Sequence, residues 1–319
     1  MGGRVVNGPL VVFGGAHIDR RGRIEADTVM GASNPGHFMS EAGGGAFNAA
    51  RALARLGHSV RLVAPRGGDA AGEIVTHAAA EAGIDDRPFV FLDRETPSYT
   101  AILDRDGGLV IALADMELYR LFSPRRLRTL SVRAALADAG AILCDANLPA
   151  ETLEALAATG RQRGLPVGAI AISPAKVVRF RAALPHLDWL CMNVAEARAI
   201  SGADAASPAD WATILRGLGL AGGLVTNGMH PVVAFDREGI AILTPPRLDR
   251  VADVTGAGDA TAAGFLSARL AGIPLGEALR RGVAAALVTL KTASATATNL
   301  SPDQLNANLP LVPAAQMLS

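Results

Sequence analysis

Short runs of β-branched and other apolar residues, each bounded by Gly or Asp, alternate along this chain with longer Ala-, Leu- and Arg-rich stretches. Each short run suits one strand and each longer stretch one helix, so the order reads as successive strand-helix-strand units with a mostly parallel sheet. The pattern predicts strands over Leu10 to Phe13, Ser59 to Ala64, Ala141 to Asp145, Pro166 to Ile172, Trp189 to Met192, Gly223 to Thr226 and Val232 to Asp236. Helices are expected over Phe47 to Leu56, Ala70 to Ala82, Pro149 to Arg163, Ala195 to Ser201, Pro208 to Gly217, Asp259 to Ala271 and Leu275 to Lys291. Several of these stop at a glycine, as helix C-termini do.

Two stretches break the alternation. Residues 19–41 and 87–115 contain no helical periodicity, and Asp106-Gly107-Gly108 sits between two alternating apolar runs as a hairpin signal. They read as a small sheet of extra antiparallel strands, a flap on a single α/β body that spans residues 1–319.

Half of the 319 residues are hydrophobic, which is ample for a large core and excludes intrinsic disorder. Thirty basic residues balance thirty acidic ones, so nothing argues for nucleic acid or an anionic membrane as partner, and a small molecule is expected. Cys144 and Cys191, the only cysteines, lie in apolar runs and read as packed thiols, without a disulfide framework. No run approaches the roughly 20 apolar residues of a spanning helix, and the amino-terminal apolar run is short for a signal peptide, so a cytoplasmic protein is expected.

Gly217-Leu218-Gly219-Leu220-Ala221-Gly222 has the spacing of a dinucleotide-binding loop, but it closes a helix and opens a strand, the reverse of what that loop requires. The stronger candidate is Asp253-Val254-Thr255-Gly256-Ala257-Gly258-Asp259-Ala260, directly before an Ala-rich helix. Small residues there leave backbone N–H groups open to an anion at the positive end of the helix dipole. Asp259 would serve either as a plain helix N-cap or as a base that takes a proton from an attacking hydroxyl beside that anion hole. A second cluster, Gly43-Gly44-Gly45-Ala46-Phe47-Asn48, opens another helix; it is either a flexible turn or a close backbone approach to a ligand, with Asn48 offering a donor and an acceptor.

Together, GGGAFNAARALARLG and DVTGAGDATAAGFL resemble the two signatures of the PfkB, or ribokinase-like, family of sugar and nucleoside kinases, and the resemblance covers essentially the whole chain. It implies a three-layer α/β sandwich with a mostly parallel central sheet and a β-sheet lid that covers the sugar and often mediates a homodimer. It implies ATP as phosphoryl donor, Asp259 as catalytic base and Gly256, Ala257 and Gly258 as the anion hole. Asp19, Gly43, Gly44, Gly45 and Asn48 would hold sugar hydroxyls. Asn193-Val194-Ala195-Glu196 matches the family's N-x-x-E motif, in which the glutamate organises Mg²⁺ through water; without the resemblance Glu196 reads as a solvated first-turn residue. Thr226-Asn227-Gly228 matches a T-x-G turn at the nucleotide, where Thr226 and Gly228 would lie, and the carbonyls around Asp253 and Thr255 fall where many members bind a monovalent cation such as K⁺.

Within the family, Ser33-Asn34-Pro35-Gly36, Thr96 to Asp104, Ala114-Asp115-Met116 and Asp145-Ala146-Asn147-Leu148-Pro149 are most similar to pseudouridine kinases. Thr100, Asn147 and His17 would then read the base. His17 stands where that branch usually has Asn, and Ala169 to Ser173 replaces a D-P-V-S stretch ahead of Lys176. His17 would either donate to the substrate or line the pocket wall. The expected activity is 5′-phosphorylation of a ribose-containing nucleoside such as pseudouridine. The alternatives are a kinase of a free sugar (ribose or fructose type) or of another nucleoside, and a catalytically silent sugar-binding protein.

Overall fold

The computed structural model describes residues 8–248, 255–292 and 296–318. Its main sheet has ten strands in the spatial order Gln316–Leu318, Ile240–Leu243, Val232–Phe235, Gly223–Thr226, Trp189–Asn193, Val167–Ile170, Ala141–Asp145, Leu10–Phe13, Val60–Val63 and Asp85–Asp86. The seven strands from Gly223–Thr226 to Asp85–Asp86 pair in parallel, and the last three at the other edge pair antiparallel.

Strand alternation divides the core into two layers. Leu10 and Val12 pack with the helices Gly45–Arg55, Ala70–Glu81, Ala257–Leu270 and Leu275–Thr289, while Val11 and Phe13 pack on the opposite face with Ala150–Gln162, Val194–Ser201 and Asp210–Gly217. Helices on both faces explain why these strands read as continuous apolar runs. The result is the three-layer sandwich that the family resemblance implies. Among the described residues no helix is long and apolar enough to cross a membrane.

The lid is a separate four-stranded sheet in the order Gly36–Gly43, His17–Ile24, Ser98–Leu103, Leu109–Asp115. Its two outer pairings are antiparallel, but the central one, His17–Ile24 with Ser98–Leu103, is parallel, so the lid is two hairpins laid side by side. Residues 87–97, which the sequence places in the lid, belong elsewhere: Phe89–Phe91 pairs with Pro65–Gly67 in a two-stranded sheet of its own. Both runs are short, and only the contact between them distinguishes this pairing from a lid strand. The edge strands Ile240–Leu243 and Gln316–Leu318 and the helices Leu130–Leu136 and Pro302–Asn308 are elements that periodicity did not reveal.

Asp145, fully buried at the carboxyl end of its strand, ties the loops above the sheet together. Its two oxygens accept hydrogen bonds from the Gly15 N–H (3.0 Å at the closer oxygen), the Ala46 N–H (2.9 Å), the Asn147 N–H (2.9 Å) and the Asn147 side-chain amide (2.8 Å). A D145N variant would set an amide NH₂ against donors, and the loss is expected to be about 3 kcal/mol. Urea denaturation should show a lower midpoint at unchanged slope; a change under about 0.5 kcal/mol would remove Asp145 from this role.

Candidate active site

The carboxyl ends of a parallel sheet are where α/β folds place ligands, and here two helix N-termini converge on that edge. A cavity of about 280 Å³ opens there, lined among others by Gly45, Asn193, Glu196, Thr226, Gly256 and Asp259.

The helix expected from Asp259 begins two residues earlier, at Ala257. Gly256 is therefore its N-cap, with φ of 77° and no capping side chain, and Asp259 is a first-turn residue and not the cap. That geometry leaves first-turn N–H groups without intrahelical partners beside the cavity, and Gly258 lines it as well. The Asn48 side-chain amide donates to Asp259 Oδ2 at 3.0 Å. Burial pushes the Asp259 carboxyl up to about 7; the Asn48 bond pulls it down, the nearby charges of Asp145 and Glu196 raise it further, and Arg51 lowers it. A carboxyl poised there is suited to accept a proton near neutral pH.

On the other glycine-opened helix, Gly44 has φ of 105°, which only glycine adopts readily, and a Cβ there would strike the Gly15 carbonyl. A Cβ on Gly43 would fall on Asp19 Oδ2, so the carboxylate lies directly against that backbone. Both ends of the Asn48 amide are engaged, its NH₂ with Asp259 and its Oδ1 accepting from Arg51 at 2.7 Å. Arg51 is a site residue that the sequence did not announce: within a helix it reads as an ordinary solvated arginine, three residues after Asn48.

His17 is buried and sits between two partners, its Nδ1 2.9 Å from the Tyr119 hydroxyl and its Nε2 3.3 Å from Asp19 Oδ1. Tyr119, about a hundred residues away in sequence and fully buried, gave no signal beyond its apolar surroundings. Burial raises its phenol pKa well above the ordinary value, so it remains protonated. The Asp19 carboxylate only accepts, so Nε2 faces it as the N–H donor, and in the neutral ring Nδ1 accepts from the tyrosine hydroxyl.

Asn147 faces Asp145 through its NH₂, and its Oδ1 accepts from Lys176 Nζ at 2.6 Å. Lys176 is itself desolvated, which lowers its pKa. Thr100 pairs with Arg20, one step out of phase with Asp19 and Tyr99, so it projects from the opposite face of the lid sheet. Asn193 and Glu196 form a reciprocal capping box: Asn193 Oδ1 accepts from the Glu196 N–H at 2.9 Å, and Glu196 Oε2 accepts from the Asn193 N–H at 2.7 Å. Glu196 is buried, not solvated, and burial raises its pKa. Thr226 ends its strand at the cavity, with Gly228 two residues on at φ of 57°. Thr255 is exposed; Asp253 lies outside the described residues.

Ile172 lines the cavity with φ of 72°, among the described residues the one non-glycine in that region. Its Cδ1 fills the place a Gly45 side chain would take. A β-branched residue held there costs on the order of 1–3 kcal/mol and marks a constrained site.

The chain matches the pfkB family carbohydrate kinase pattern over residues 9–302. It is 29% identical over 306 residues to the uncharacterized sugar kinase YeiI of Escherichia coli K12, covering 95% of this chain and 83% of that protein. It is 28% identical over 275 residues to the pseudouridine kinase of the same organism, covering 85% of this chain and 87% of the other. A solved carbohydrate kinase from Agrobacterium tumefaciens superimposes with a TM-score of 0.90 at 57% identity, over 98% of this chain and 100% of that one. With the match running through both glycine-opened helices, the protein belongs to the pfkB family of carbohydrate kinases, phosphotransferases that act on hydroxyl groups of sugars and nucleosides.

Proposed function

We propose that this kinase uses ATP to phosphorylate the 5′-hydroxyl of a ribose-containing nucleoside, pseudouridine first among them, in the cytoplasm. The observation that carries the reading is Asp259, raised to about 7 at the first turn of a glycine-opened helix and facing the cavity. In this scheme Asp259 takes the proton of the attacking hydroxyl as the γ-phosphoryl transfers in line. The N–H groups of Gly256, Ala257 and Gly258 stabilise the charge that develops on the phosphoryl oxygens. Asp19, oriented by His17 and seated against Gly43, holds sugar hydroxyls together with the Gly44 and Gly45 backbone. Asn193, Thr226 and Gly228 border the nucleotide.

Among the described residues no group of three or more His, Cys, Asp or Glu side chains is placed to hold a metal. The Glu196 carboxylate at the cavity wall fits a Mg²⁺ carried mainly by the phosphates and water, whose waters it would receive. The ion would supply charge neutralisation between the phosphates. K⁺, if used, would be held by the carbonyls around Asp253 and Thr255.

The resemblance in the lid and around Asn147 supports pseudouridine. A second reading, a free pentose such as ribose, is favoured by one observation: of the three base-reading candidates, Asn147 is engaged by Asp145 and Lys176, His17 by Tyr119 and Asp19, and Thr100 faces away. A coupled assay with pseudouridine, uridine, ribose and fructose decides between them. The expected order places kcat/KM for pseudouridine above those for uridine and ribose. Preference for ribose would establish the second reading, and turnover of none would leave a sugar-binding protein.

The D259N variant should lower kcat by about 10² to 10⁴. In the wild type, kcat/KM should fall about tenfold per pH unit below about 7, because only the ionised carboxylate accepts a proton. Stability moves the other way. The folded value near 7 exceeds the unfolded one near 3.8, so the stability linked to this group is complete below 3.8 and is lost as pH rises to 7. The melting temperature of D259N at pH 8 should therefore equal or exceed that of the wild type. A kcat within tenfold of the wild type would reject Asp259 as the base.

The lid face opposite Asp19 carries Phe38, Ile111 and Leu113, which are 63%, 62% and 71% exposed, with Ile102 between them. Such a contiguous apolar face supports a homodimer that pairs lid to lid. Light scattering should give a dimer for the wild type and a monomer for an I111D/L113D double variant; a monomeric wild type would reject it.

A further inference from the structure

Arg51 lies on the helix Gly45–Arg55, one turn past Phe47 and Asn48, with its guanidinium 4.6 Å from the Phe47 ring. One of its nitrogens, Nη2, donates both to the Asn48 side-chain oxygen at 2.7 Å and to the Ala42 carbonyl at 3.0 Å. Ala42 belongs to the lid strand Gly36–Gly43. Asn48 in turn donates to Asp259 Oδ2 at 3.0 Å. Three consecutive hydrogen bonds thus run from the lid to the carboxylate.

The chemistry of the ends fixes the middle of this chain. Arginine has donors and no acceptor, so the Asn48 atom facing it is the carbonyl oxygen, and the NH₂ is left for Asp259. Without Arg51 the amide is free to turn over and present its oxygen to Asp259, which favours the protonated acid. We propose that Arg51 is a positioning residue for phosphoryl transfer, which holds the Asn48 amide toward Asp259 and ties both to the lid strand through the Ala42 carbonyl. The proposal rests on the reading of Asp259 as the base.

Arg51 is desolvated enough for its pKa to fall to about 10, and its buried Nε has no hydrogen-bond partner. The charged groups around it are Arg55, Glu41, Asp19 and Asp259; those around Asp259 are Asp145, Glu196 and Arg51, together with the neutral Asn48. The guanidinium therefore stands among three carboxylates, on the same side as the lid aspartate and the base.

The test is a double-mutant cycle of R51M and N48A, read as kcat, KM for ATP and the acid limb of kcat/KM, with pseudouridine or with ribose if ribose is the acceptor turned over. R51M should lower kcat about tenfold with KM for ATP within about twofold, and move the acid limb up by about half a pH unit. In the N48A background R51M should cost clearly less than it does in the wild type, because the bond it supports is already gone and only its charge near Asp259 and its hold on Ala42 remain to be lost. R51K, which keeps a charge and donors, should recover part of kcat and serves in the same cycle if R51M does not fold. Equal costs in both backgrounds, or an unmoved acid limb, would overturn the proposal. D259N separates this outcome from failure of the base assignment: if D259N retains kcat, the base assignment itself has failed, whatever R51M does.

Discussion

The buried carboxylate of Asp145 is the contact on which the site's geometry rests. The loop after the first strand, the start of the helix Gly45–Arg55 and the turn after Asp145 itself each direct N–H groups inward, and one side chain satisfies them together. Backbone donors in such tight turns, removed from water, would each cost free energy if left alone. Because the Ala46 N–H is among them, the carboxylate also sits at the positive end of that helix. It thereby sets where the helix begins, and so where Asn48 and Arg51 stand three and six residues from the start of that helix.

The same negative charge acts at a distance on Asp259. Asp145 and Glu196 both oppose its ionisation, and burial opposes it more; Asn48 and Arg51 favour it. The balance near 7 comes from opposed contributions of the scaffold and the helix that opens at Gly45. On the proposed reading of Asp259 as the base, stability and catalysis conflict at this one residue, since the ionised form that would accept a proton is the form that the surrounding structure disfavours.

The parts of this arrangement legible in sequence were the local ones. Glycines ahead of a helix and an aspartate just inside it are contiguous, so their spacing pointed to Gly256, Gly258 and Asp259, while Asn193 and Glu196 were legible only through the resemblance to the family's N-x-x-E motif; all five line the cavity. The alternation of short apolar runs with helical stretches identified the parallel sheet because both of its faces are covered. What the chain did not announce is which residues meet: Tyr119 behind His17 and Lys176 on Asn147 across long sequence separations, and Ala42 with Arg51, nine residues apart, on either side of the lid junction. In each, an ordinary residue gains its role from a neighbour that only the fold supplies. Asn147 shows the converse, because its place beside Asp145 was legible while the hydrogen bonds that occupy it were not.

The lid depends on register more than on composition. Alternation along His17–Ile24 sends His17 and Asp19 to one face, while Phe38, Ile102, Ile111 and Leu113 gather on the other around Gly22. A slip of one residue in either hairpin would exchange these faces, exposing the carboxylate and burying the apolar row. The tight turn at Asp104, whose Oδ1 accepts from the Asp106 and Gly108 N–H groups, fixes one hairpin. The register shift between Ile102 and Leu103 lies beside that turn and absorbs the irregularity before it reaches Tyr99 and Asp19. The far end is held by Arg51 on the Ala42 carbonyl, so a side chain one hydrogen bond removed from Asn48 also anchors the lid strand whose register determines where Asp19 points.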